Sequence, residues 1–76
     1  MKEQLKLIIE SIVSNPAEVS IEEKPGEEVT VFEVTVAEGD MGKVIGREGR
    51  VAKAIRTVMR AMAVKENSKI SIEFLG

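Results

Sequence analysis

The chain has no cysteine, no histidine, no tryptophan and no tyrosine among its 76 residues. Without cysteine there is neither a disulfide framework nor a thiolate metal site. Without histidine the commonest general base and the commonest metal ligand are missing. Phe32 and Phe74 are the only aromatic residues, which argues against the aromatic platforms on which RRM-type sheets and OB-type barrels stack unpaired bases. The apolar runs are too short to span a bilayer and no signal-peptide layout opens the chain, so a soluble, cytoplasmic protein is expected. Neither Gly-x-x-x-x-Gly-Lys-Ser/Thr nor Gly-x-Gly-x-x-Gly occurs, and no acid is visibly tied to a base or a metal, so no enzyme, cofactor or metal centre is expected. Repeats, low-complexity segments and linkers are also missing. One small domain over residues 1–76 follows, which buries only about 60% of its unfolded surface and is modestly stable.

What is present is an uneven distribution of charge. The net charge is −2, yet Gly42 to Met62 contains six basic residues (Lys43, Arg47, Arg50, Lys53, Arg56, Arg60) and one acid, Glu48. That segment is +5 and the remainder −7, so the local charge says more about partners than the total does. From about Gly49 the pattern is helical, with Val51, Ile55, Val58, Met59 and Met62 on one arc and Arg50, Lys53, Arg56, Thr57 and Arg60 opposite. Gly46 and Gly49 bracket the start of this helix, with only Arg47 and Glu48 between them. Glycine accepts positive φ and lets backbone approach a ligand. Free N–H groups at a helix start, with the dipole behind them, suit phosphate. The pattern implies a backbone clamp for phosphates beside a basic helix. Arg56 and Arg60 read as a solvated helix face rather than as contacts.

The remaining chain reads in order. Leu5, Ile8, Ile9, Ile12 and Val13 form one face of a helix over residues 2 to 14, stopped at Asn15-Pro16. Residues 17 to 23 alternate as a strand, with Val19 and Ile21 inward. Lys24-Pro25-Gly26-Glu27 is a turn, and Val29 to Ala37 a second strand with Phe32, Val34 and Val36 inward. Asp40 is placed to cap a short helix from Met41 to Ile45. The long helix ends near Val64, and Ile70, Ile72 and Phe74 alternate in a last strand. The predicted order is α-β-β-α-α-β. It forms an α+β domain whose three-stranded mixed sheet carries three helices on one face, with a right-handed crossover joining the parallel pair.

Val44-Ile45-Gly46-Arg47-Glu48-Gly49 resembles the Ile-Gly-x-x-Gly signature of KH domains, which bind single-stranded RNA or DNA. Nearly the whole chain is similar to the small single-domain bacterial KH proteins of the KhpA type. The resemblance implies a type II KH fold and a single-stranded RNA partner, held in a groove that grips bases mainly against aliphatic side chains. It implies that Gly46, Arg47, Glu48 and Gly49 meet the sugar-phosphate backbone, and that Ile45 and Val44 face unstacked bases. Lys43, Arg50 and Lys53 would supply nearby positive potential. A role as a post-transcriptional regulator or RNA chaperone is implied with it. The family is also associated with homodimers and with pairing to a larger KhpB/Jag-type partner, so the rival reading is a protein–protein module. Glu48 departs from the family, whose central loop residues are often basic or neutral. Either it repels phosphate, or it points away and serves the helix N-terminus.

Overall fold

The first apolar stripe does form a helix, α1 (Lys2–Ile12), with Leu5 and Ile9 wholly buried. In the computed structural model, which describes residues 1–75, it ends two residues earlier than its periodicity predicts. Val13 is already extended (φ −83°, ψ 160°). The backbone N–H groups of Ser14 and Asn15 donate to the Asp40 carboxylate at 3.2 and 3.0 Å instead of continuing the helix. Ala17 and Glu18, expected in the strand, lie in a 3₁₀ turn opened by Pro16. That proline presets φ, and the N–H groups of Glu18 and Val19 bond to Asn15 and Pro16.

The strands are β1 (Ser20–Lys24), β2 (Thr30–Thr35) and β3 (Ile70–Leu75). β1 pairs antiparallel with β2, and β2 pairs parallel with β3, so β2 is central. Ile21, Phe32, Val34 and Ile72 supply the buried face, while Val36 lies beyond the end of β2 and is half-buried. On the opposite face the register sets Glu22, Glu33 and Glu73 in one row across all three strands. Like charges directly opposed cost stability. Lys24 offsets part of that cost, with Nζ 3.0 Å from Glu33 Oε1. The hydrogen bond and charge of Glu33 hold the Lys24 ammonium pKa above its ordinary value.

The chain crosses from β2 to β3 through α2 (Met41–Ile45) and α3 (Arg50–Lys65), which share the buried face of the sheet with α1. Leu5, Ile9, Val34, Val44 and Met59 are the largest fully buried side chains. The expected apolar arc of α3 is rotated. Val58 is 50% exposed, whereas Ala52 and Ala63 are buried with Ile55 and Met59. Small side chains at Ala52 and Ala63 let the helix seat closely on its neighbours.

Asp40 precedes α2 as expected, but its carboxylate does not cap that helix. The cap is its backbone carbonyl, which accepts from Lys43 N–H at 3.0 Å. The carboxylate, 2% exposed, instead accepts from Ser14 N–H, Asn15 N–H and Asn15 Nδ2. Burial alone pushes its pKa up. The hydrogen bonds from Ser14 and Asn15, with Lys43 3.6 Å away, outweigh burial and hold it below the ordinary aspartate value. Asp40 therefore ties the end of α1 to the start of the segment that carries the glycine turn.

Candidate nucleic-acid interface

Gly46 ends α2 at φ 77°, ψ 176°. This is a backbone region that is essentially glycine-only. A Cβ built there would lie 2.9 Å from the backbone nitrogen of Val51 and would collide with the Val51 side chain. Glu48 (φ 57°) and Gly49 (φ 74°) are left-handed. A Cβ on Gly49 would meet nothing within 4 Å. The two glycines therefore differ. The fold itself requires the first, while the second keeps open surface at the head of α3.

The N–H groups of Gly46, Gly49 and Arg50 close the turn, on Gly42, Gly46 and Arg47 oxygens respectively. Those of Arg47 and Glu48 are not among the bonds that close it. Arg47 and Glu48 are both exposed. The turn thus offers backbone donors and an arginine at the N-terminus of a 16-residue helix, where the dipole favours an anion.

The basic residues around it are unequal. Lys43 donates to Ser14 Oγ and lies beside Asp40, so its ammonium is held at the end of α1. Arg50 Nη2 is 3.3 Å from Glu48 Oε2, both groups largely exposed. Such a surface pair is worth about 0–1 kcal/mol, so a phosphate can displace it. Glu48 therefore turns toward Arg50 and neutralises part of the site. Among the described residues Arg47, Lys53 and Arg60 have no acidic partner within 4.0 Å. Val44 is fully buried, so its side chain belongs to the core and offers no surface to a base. Ile45 is half-buried against that core and keeps part of its side chain exposed.

Arg56 corrects the reading of a solvated stripe. Its Nε donates to the Ile72 carbonyl at 3.2 Å, and its guanidinium lies over the Phe74 ring, 5.2 Å from the centroid. β3 is an edge strand, so this arginine covers one of its outward carbonyls. Sequence reasoning missed this contact, as it missed the Asp40 network, because both join residues far apart in the chain. The only hint was that Phe74 is one of two aromatics. No helix among the described residues is long and apolar enough to cross a membrane.

A glycine-bounded turn between two helices, set in an α-β-β-α-α-β domain with a mixed sheet, defines a type II KH domain. The family described as "KhpA/KhpB, KH domain" matches residues 2–74, and the chain belongs to it. It is 49% identical over 75 residues to "RNA-binding protein KhpA" of Clostridium perfringens, covering 99% of this chain and all of that one. The protein of the same name from Clostridium acetobutylicum is 51% identical over the same coverage. That of Chlamydia trachomatis is 45% identical, covering 99% of this chain and 96% of the relative.

Proposed function

We propose that the chain is a non-enzymatic protein that binds single-stranded RNA by gripping the sugar-phosphate backbone with the turn Gly46-Arg47-Glu48-Gly49. One observation carries this reading. The turn holds three residues at positive φ, leaves the N–H groups of Arg47 and Glu48 outside its own closing bonds, and sits at the head of a long helix. The exposed cations of Arg47 and Lys53 are beside it. Its full-length relatives carry the name RNA-binding protein, which supports the same reading. A cytoplasmic post-transcriptional regulator or RNA chaperone is the role that fits.

The test is fluorescence anisotropy with labelled single-stranded RNA over a range of salt concentrations. A grip on about 2–4 phosphates gives a log K against log salt slope of about −1.5 to −3. Binding that does not respond to salt, or no binding at all, rejects the clamp.

A second reading, pairing with itself or with a KhpB/Jag-type chain, has separate support. Ile8 and Ile12 of α1 and Val51, Ala54 and Val58 of α3 line an open apolar groove, with Arg50 at its edge. Val58, on the groove, is 50% exposed, and Leu7 of α1 is 68% exposed. A second copy of this chain is the occupant we propose, since one patch carrying both groove and projecting side chains suits a two-fold contact. Val58→Asp is expected to convert a dimer to a monomer in sedimentation equilibrium. If the wild-type chain sediments as a monomer at high micromolar concentration, this reading fails.

A further inference from the structure

The two contacts of Arg56 do more than cover a strand edge. Nε is committed to Ile72, and the guanidinium lies over the Phe74 ring. What remains is the end-on pair of terminal nitrogens, and among the described residues neither has a hydrogen-bond acceptor or an acidic partner. Arg56 is half-buried, so rotamer freedom that an exposed arginine would lose on binding is already spent.

Its place in the fold matters as much. β3 runs back along α3, since Arg56 meets Ile72 and Phe74 while Arg60 and Ala63 lie with Lys69 and Ile70. The seam between α3 and β3 therefore starts near the glycine turn, passes Arg56 and ends at Arg60. A strand gripped at the turn and laid along this seam brings a base, not only a phosphate, to Arg56. The Phe74 ring lies beneath the guanidinium. With Nε engaged, the two terminal nitrogens are the donors left for a ligand.

We infer that Arg56 is a specificity-determining residue, whose two terminal nitrogens donate side by side to one base of the bound strand. This rests on the RNA-binding reading above. Two parallel donors select an edge with two adjacent acceptors: O6 and N7 of guanine, or O2 and N3 of cytosine. In adenine the amino donor lies between N1 and N7, and in uracil N3–H lies between O2 and O4, so neither base offers two adjacent acceptors on one edge. The site therefore favours guanine or cytosine at one position, within a grip otherwise indifferent to sequence.

The experiment measures anisotropy with four short RNAs that share a uridine-rich frame and differ at one tested base, scanned along the frame. The wild-type chain is expected to bind the guanine or cytosine RNA about fivefold or more tightly than the adenine and uracil ones at one position. Arg56→Lys keeps the charge but loses the planar pair, so the preference collapses to within about twofold while the salt slope is kept. Phe74→Leu leaves Arg56 in place but frees it, and the preference falls while overall affinity holds. Circular dichroism confirms that both variants are folded. If Arg56→Lys weakens all four RNAs equally, or leaves the preference intact, Arg56 contacts no base and the inference is wrong, although the clamp stands. If the wild-type chain binds no RNA, the clamp itself has failed and takes this inference with it.

Discussion

Replacing Gly46 with alanine is expected to lower the melting temperature by about 15 °C, whereas Gly49→Ala lowers it by only about 5 °C. The two glycines look equivalent in sequence, four residues that read Gly-Arg-Glu-Gly. Their surroundings are not. Gly46 combines a glycine-only backbone region with a direct collision against Val51, including that residue's backbone nitrogen. Side-chain adjustment cannot relieve a contact with backbone. Alanine at Gly49 carries the left-handed penalty alone, about 1–2 kcal/mol, because nothing lies within 4 Å of its Cβ. Thermal denaturation followed by circular dichroism reads both. Equal losses would mean that the packing of Val51 under the turn does not matter.

The second large effect concerns binding. Arg47→Asp combined with Glu48→Asp is expected to weaken single-stranded RNA binding by about ten- to a hundredfold, the worth of a charge-assisted hydrogen bond. The salt slope should fall by about 1. The turn then carries two acids where Arg47 had supplied a cation, and the phosphate it gripped meets repulsion. The fold should survive, since both side chains are exposed and aspartate accepts the left-handed conformation of position 48 better than glutamate does. Circular dichroism establishes that it has. If the folded variant binds as well as wild type, the phosphate contacts lie on Lys53 and Arg60 instead.

Much of the fold was readable because the core obeys simple periods. Leu5 and Ile9 repeat at helical spacing, and Ile21, Phe32, Val34 and Ile72 take the alternate, inward positions of their strands, and all six are buried. The turn was readable because two glycines at that spacing have few uses other than positive φ. What escaped was fixed by contacts between distant residues. Periodicity cannot foresee that Asp40, twenty-five residues on, captures the Asn15 N–H and ends α1 early. Nor can it rank Ala52 above Val58 for burial, since hydrophobicity favours the valine while close approach of the helix to its neighbours favours the alanine. Lys43 and Arg56 share the sign of Arg47, and the sequence places Lys43 near the site and Arg56 on a solvated face without showing what either is tied to. Geometry commits Lys43 to Ser14 and Asp40 and Arg56 to Ile72 and Phe74, and leaves Arg47 without an acidic partner among the described residues.

The row of Glu22, Glu33 and Glu73 lies on the sheet face turned away from the helices, while Arg47, Lys53 and Arg60 belong to the helical layer. A body with an acidic back and a basic front carries a dipole moment, and in the field of a polyanion it experiences a torque before it touches anything. Such a domain is expected to rotate as it approaches, so that under the proposed grip the turn comes to face the strand and fewer collisions are wasted. Added salt shortens the range of that torque, and the loss shows in the association rate as well as in the lifetime of the complex. A chain whose total charge is negative can in this way be drawn toward RNA.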